Sequence, residues 1–308
     1  MSATPLSALE LREAVRNRDR FDRSRLNRVL AIDAQRGLIE VQGGTTWRTI
    51  ATELRPRDPR ALAASSAASV GSSIARNAAG PDGVPTVNHV ASLALVMPDG
   101  ELKRVSRNRD PELFALAVGG QGLFGTIYSV TLFIPSLAAA VERQAQPERV
   151  TLRPQARAQQ PLELLIPPEA VDAFVAETDT RCNDWRVALH SVAIRRTLGE
   201  HETFLRWASR DYAEVRLALA QPGGLGGAVR TAQLRRELIG AAIALGGSFQ
   251  IATTPDATRE HTEACYPQLR AFLAQKRRFD PNERVVNEWY WHQRNVLRRE
   301  RCEVRWAS

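Results

Sequence analysis

The sequence predicts an α+β fold in two units. Three observations carry that expectation. Helix and strand signals alternate irregularly, not in a βαβ rhythm. A tight turn, Pro98-Asp99-Gly100, joins two apolar runs as an antiparallel hairpin. A Gln-, Arg- and Pro-rich stretch over 141–160 reads as a linker and places a domain boundary between residues 140 and 141, so that residues 1–140 form one unit and 141–308 the other.

Residues 1–25 read as a polar, helix-compatible lead. Leu38-Ile39-Glu40-Val41 is a strand candidate, and Gly43-Gly44 a turn after it. Thr46 is placed to cap a helix running to Leu54 and stopping near Pro56 and Pro59. Ser69 to Asn77 is too small and polar for a strong core helix; it suits backbone passing close to another group. Ala91 to Met97 and Glu101 to Val105 form the hairpin strands. Asp110-Pro111-Glu112 starts a helix, with Asp as N-cap and Pro at the first position. It runs to about Val118, and Thr126 to Ile134 is the next strand.

Beyond the linker, Leu162–Ile166, Val187–Ile194, Tyr212–Leu219 and Ser248–Ala252 are expected as strands. Pro168–Thr178, Leu234–Leu245 and a long amphipathic Thr258–Lys276 are expected as helices, with Pro222 to Gly227 as a loop. Trp289-Tyr290-Trp291-His292 reads as an aromatic anchor packing the C-terminal segment onto the core.

Composition excludes several classes. At 44% apolar and 25% charged residues, the chain is neither disordered nor collagen-like. No apolar run reaches the roughly 18 residues of a membrane span. The opening 30 residues lack a signal-peptide core, and the three cysteines form no C-x-x-C pair, so a cytoplasmic setting is expected. The net charge of +8 permits phosphate contacts. The arginines are interleaved with acids, however, and a nucleic-acid partner ranks last among the readings. The five histidines include no H-E-x-x-H and no i, i+4 pair, so no metal site is expected.

Two glycine- or serine-rich stretches remain. Gly120-Gln121-Gly122-Leu123-Phe124-Gly125 matches G-x-G-x-x-G. Its context is reversed, with a helix before and a strand after, so the dinucleotide fingerprint fails. A helix-to-strand turn, or a turn lying against a ligand, remains. Ser69 to Gly80 offers hydroxyls and backbone N–H groups suited to a phosphate or a polar ring edge, or is an ordinary Ala/Ser-rich loop.

Taken in order, Leu26–Leu30, Gly37–Trp47, Ser69–Gly80, Leu95–Gly100, Asp110–Phe114 and Gly119–Gly125 resemble the FAD-binding (PCMH-type) domain of the vanillyl-alcohol oxidase and p-cresol methylhydroxylase superfamily. Glu202–Ala208, Gly246–Ser248 and Cys265 through Pro281 resemble members near the sugar-lactone oxidases and decaprenylphosphoryl-ribose oxidase. The resemblance implies a two-subdomain FAD-binding domain plus a second α+β substrate domain, and a small-molecule substrate of sugar, lactone or alcohol type. It assigns cofactor contacts to Ser69, Val70, Gly71, Ser72, Arg76, Asn77, Ala78, Ala79 and Ile127, and names no catalytic residue.

Departures from the pattern set a rival reading. No glycine precedes Gly37 and no histidine precedes His89, so the family's pyrophosphate loop is expected to be absent and its subdomain N-terminally incomplete. The family's Val-Gly-Gly is Val70-Gly71-Ser72 here, and Ala79 stands where a histidine is often found. Gln250 and Thr253 stand where relatives carry tyrosine or lysine, and neither is a useful acid or base at neutral pH. The alternative is therefore a truncated or degenerate member of the same fold, with weak or no FAD binding. A partner or oligomer would then cover the incomplete subdomain.

Overall fold

The computed structural model describes residues 4–54, 68–80, 82–143, 149–152, 161–220 and 223–298. Two five-stranded sheets carry the fold. The first is built from β1 (Val29–Asp33), β2 (Leu38–Gln42), β3 (Val90–Val96), β4 (Leu102–Ser106) and β5 (Thr126–Phe133), in the order β1-β2-β5-β3-β4. The second is built from β6 (Arg149–Leu152), β7 (Leu162–Ile166), β8 (Leu189–Thr197), β9 (Tyr212–Leu219) and β10 (Ser248–Phe249), in the order β10-β7-β9-β8-β6. Every ladder in both is antiparallel. Helices and antiparallel sheets in separate layers are the α+β arrangement.

In the first sheet β5 is central because its sequence suits burial on both faces: Ile127, Val130 and Leu132 are all buried. The hairpin β3–β4 closes at Gly100, whose φ of +83° is the conformation a glycine enters at no steric cost. β1 has no sequence signature. Two of its five residues, Leu30 and Ala31, are exposed, so period-2 patterning never appears.

α1 (Ala8–Asn17) starts at Ser7, whose hydroxyl accepts from the Glu10 N–H, and packs Leu11 and Val15 with Leu26 and Val96 in a small second core. That core fixes the segment 20–27 against the sheet. α2 (Trp47–Leu54) begins after Thr46, whose Oγ1 accepts from Thr49 N at 3.1 Å. Pro56 and Pro59, expected to stop it, lie outside the described residues.

α3 (Val70–Arg76) corrects the expectation for Ser69 to Asn77. The stretch is a helix, made possible by Ser69 as N-cap, Asn77 as a left-handed C-cap at φ 48°, and Val70 and Ile74 in the core. α4 (Pro111–Ala117) starts as expected, but Asp110 sits at φ 54° and makes no side-chain cap. The Phe114 N–H to Asp110 carbonyl bond closes the first turn instead.

α5 (Ile134–Arg143) and β6 both enter the stretch expected as linker, whose residues 144–148 and 153–160 lie outside the described ones. α6 (Val171–Asp184) and α7 (Gly224–Ala244) cover the second sheet. Of the expected loop Pro222–Gly227, Pro222 lies outside the described residues, Gly223 is the N-cap of α7 and Gly224–Gly227 its first turn; α7 runs 21 residues. The expected long helix is two: α8 (Arg259–Cys265) and α9 (Leu269–Phe279). Pro267 divides them, forcing Tyr266 out of the helical region to φ −131°, ψ 60°. α10 (Glu288–Arg298) follows. Its Trp289 meets Phe272 edge-on with ring centroids 6.1 Å apart, and Phe124 from the first unit meets Phe272 at 5.1 Å.

The sheets are joined by polar bonds as well. Trp207 Nε1 donates to the Asn77 carbonyl at 2.9 Å, and the Arg195 guanidinium donates to the Gly80 carbonyl at 3.0 Å. Arg195 also pairs with the buried Glu214, which Arg216 flanks at 2.9 Å. Burial alone would raise that carboxyl's pKa, but the two guanidiniums outweigh it and hold it below the ordinary value.

Among the described residues, no helix is long and apolar enough to cross a membrane.

Candidate functional site

A cleft of about 530 Å³ opens beside the first sheet. That lies inside the range of about 300–1,000 Å³ in which small-molecule sites fall. Three segments wall it: the 21–27 stretch with Phe21, Asp22, Arg23, Ser24 and Asn27; the Gly43-Gly44 turn with Thr46 and Thr49; and the start of α3 with Ser69, Gly71 and Ser72. Ile127 of β5 completes the lining.

The floor is backbone, and the glycines are there because nothing larger fits. A Cβ on Gly43 would stand 2.6 Å from the Ile127 carbonyl oxygen, and one on Gly71 would stand 2.7 Å from the Gly43 carbonyl oxygen. Both opposing atoms are main chain and cannot swing aside. The same proximity is used for bonding: Gly71 N donates to Gly43 O at 2.8 Å, and Val70 N to Thr45 O at 2.8 Å. The β2 turn and the α3 start are thus one fused unit.

The polar groups have definite states. The other first-turn amides of α3 are also paired inside the protein, Ser72 N with the Ser69 hydroxyl and Ser73 N with the Ser69 carbonyl. The donors the cleft presents are therefore hydroxyls, the Asn27 amide and the exposed Arg23 guanidinium. Asp22 accepts from the Ser24 hydroxyl and amide, which hold its carboxyl below the usual range, so it is a carboxylate at neutral pH. Among the described residues, no histidine, cysteine, lysine or tyrosine is in the lining.

The residues that the sequence nominated divide into two places. Ser69, Gly71, Ser72 and Ile127 meet in the cleft. Val70 is fully buried beneath it. Arg76, Asn77, Ala78 and Ala79 lie at the other end of α3, where the two sheets meet. Asn77 is buried there, donating to Glu200 at 3.3 Å and accepting from Val87 N at 2.9 Å. The Ala78 carbonyl accepts from Thr86, and Arg76 Nε lies 3.4 Å from the Ser72 carbonyl.

The Gly120–Gly125 motif is a helix-to-strand turn with Gly119, Gln121, Gly122 and Gly125 all at positive φ. Gly119 N and Gln121 N donate to the Ile74 and Ala75 carbonyls, so this turn caps the end of α3. Of the second-unit positions, Gln250 is buried, and Thr253 donates to Glu163 at 2.9 Å, which is itself paired with Arg216 at 2.8 Å. His89 is buried between Ser136, at 2.9 Å, and Asp82. Among the described residues, no group of three or more His, Cys, Asp or Glu is placed to hold a metal.

Sequence reasoning missed Phe21 to Asn27, Thr46 and Thr49 as cleft residues. They come from two segments that only the fold brings beside the start of α3. The one local signal was Gly43-Gly44, which also reads as an ordinary turn.

A cap-removal prediction follows from the α3 start. Ser69→Ala removes the acceptor for Ser72 N and is expected to cost about 1 kcal/mol, measured by urea denaturation.

Residues 20–106 match the family model of an FAD binding domain. The match indicates that the chain binds FAD, and it suggests an FAD-dependent oxidoreductase. Every lining residue of the cleft except Ile127 falls inside the matched segment. No curated protein matches the chain.

Proposed function

We propose that the cleft beside the first sheet holds FAD and that the chain is an oxidoreductase acting on a CH–OH group of a sugar, lactone or alcohol. One observation carries the reading: the cleft of about 530 Å³ is walled almost wholly by the segment that matches an FAD-binding domain. Its chemistry fits the group. Arg23 supplies positive charge for a pyrophosphate, the serine and threonine hydroxyls supply neutral donors, and Asp22 accepts from ribose or ribityl hydroxyls. Phe21 and Ile127 give apolar surface for a ring. Backbone at Gly43, Gly44 and Gly71 keeps the floor low enough for close approach.

Bound there, a flavin would supply the chain with a hydride acceptor. The protein's part is to fix the cofactor between the 21–27 segment and α3 and to keep a wall of fused backbone behind it. Asp22 stays ionised and holds hydroxyl hydrogens; with its lowered pKa it is a poor proton acceptor at pH 7.

Among the described residues, the lining contains no histidine, cysteine or tyrosine that could attach a flavin covalently. The bound flavin is therefore expected to be released in full on denaturation. Purified protein incubated with FAD and desalted should keep the visible flavin band, and acid precipitation should leave all of it in the supernatant. No retained band after desalting would overturn the reading; colour in the pellet would show a covalent link instead.

The absence of a neutral-pH base from the lining favours one second reading, a chain that binds flavin without oxidising a substrate. Anaerobic mixing with a panel of sugars, lactones and alcohols separates the two. Bleaching of the flavin band supports the oxidoreductase. A retained band that no substrate bleaches supports the second reading.

A further inference from the structure

A second cleft, of about 150 Å³, lies between α9 and α10 and shares no residue with the first. Its lining includes Arg270, Arg277, Arg294 and Arg298, with Tyr290, Leu273 and Leu297, and among the described residues it contains no aspartate or glutamate. The helical periods explain the convergence. Arg270 and Arg277 are seven apart on α9 and share a face; Arg294 and Arg298 are four apart on α10 and share another.

Two of the guanidiniums are held from behind. Arg270 pairs with Glu263 at 2.6 Å, and Arg294 pairs with Glu283 at 2.6 Å while lying 4.9 Å from the Trp291 ring centroid. Those carboxylates stand outside the lining, so they orient the forks and leave the cleft itself cationic. Arg277 and Arg298 are exposed at its mouth. With two of the four guanidiniums paired, Arg277 and Arg298 leave the described lining positively charged, which favours an anion there.

We propose that this cleft binds a phosphoryl group. Guanidiniums from two helices lining one cleft suit a tetrahedral dianion, because a free fork such as that of Arg277 or Arg298 can donate two parallel hydrogen bonds. The volume equals that of about five waters at roughly 30 Å³ each, enough for a phosphate head but not for a whole nucleotide. The group arrives either on a soluble molecule or as a lipid headgroup.

The test uses the full chain with FAD added to saturation, at low ionic strength. Inorganic phosphate and pyrophosphate are titrated calorimetrically, and sedimentation with phosphatidylglycerol vesicles is measured in parallel. Saturable binding of at least one probe is expected. Arg277→Gln and Arg298→Gln should each weaken it about tenfold, with melting temperature and flavin retention unchanged, because both side chains are exposed. Arg206→Gln, exposed and outside the cleft, should leave binding intact.

Soluble-anion binding without vesicle binding assigns a soluble ligand; vesicle binding lost in the double variant assigns a headgroup; either supports the site. Three results overturn it: no saturable binding of any probe, equal binding by the double variant, or equal loss in Arg206→Gln.

Discussion

Asp280→Ala is expected to lower stability by about 3–5 kcal/mol, the cost of leaving a buried charge without its partner. Lys276 is fully buried on α9, and its ammonium meets the Asp280 carboxylate, which is itself 2% exposed. The same carboxylate accepts from Arg284 N at 2.9 Å and Val285 N at 2.8 Å. It therefore shapes the loop leading to α10. That loop reaches the first unit, where Arg284 donates to the Pro98 carbonyl and Asn287 to the Gln121 carbonyl. Losing the carboxylate strands a lysine and unpins the loop at once.

The effect carries a pH signature. Burial alone would raise the Asp280 pKa, but the Lys276 bond, the two backbone donors and the Lys276 charge outweigh it and bring it below 3.8. A depressed carboxyl contributes stability that is fully present above its unfolded value. That contribution is lost as pH falls through the folded value. Urea denaturation should therefore show the gap between wild type and Asp280→Ala at its widest near neutrality. The gap should close as pH falls below about 3.8. A gap that does not vary with pH would contradict this account of the pair.

Gly71→Val is the second large effect. Its Cβ would stand 2.7 Å from the Gly43 carbonyl oxygen, and the branch adds two more carbons to the same space. Overpacking of this kind costs about 1–3 kcal/mol. The larger consequence is functional, since relief requires the α3 start and the Gly43-Gly44 turn to separate. That breaks the Gly71 N to Gly43 O bond and lifts the cleft floor. FAD affinity is expected to fall at least tenfold, about 1.4 kcal/mol or more. Ser72→Ala, exposed on the same helix, should weaken affinity by no more than about two- to twelvefold, since one neutral hydrogen bond is worth about 0.5–1.5 kcal/mol. Fluorescence titration of FAD into each variant measures both.

What the sequence made legible was local. The β3–β4 hairpin could be read because Pro98-Asp99-Gly100 specifies its turn within three residues. The α2 start could be read because Thr46, a good N-cap residue, follows closely on the Gly43-Gly44 turn. What it hid depended on distant partners. β1 escaped notice because, as an edge strand, it exposes Leu30 and Ala31 and shows no alternation. α3 looked too polar for a helix because its support comes from outside: Ile74 and Ala75 are capped by the Gly119–Gly122 turn, and Trp47 donates to Ser73 at 2.9 Å.

The same distinction runs through the site. Ser69, Gly71 and Ser72 stood out by composition. Asp22, Arg23 and Asn27 did not, because a charged lead has no periodicity to mark it. The small core of Leu11, Val15, Leu26 and Val96, with the Gly44 N to Leu26 carbonyl bond, brings that lead to the cleft.

The most direct test of the central claim is the dissociation constant of FAD for Ser72→Trp. Ser72 is exposed at the cleft, and its side chain bonds only back to its own helix start, so an indole fits there without disturbing the core. If FAD occupies this cleft, affinity falls at least tenfold while the melting temperature of the FAD-free protein stays at the wild-type value. Wild-type affinity in Ser72→Trp would contradict the account and place the cofactor elsewhere on the chain.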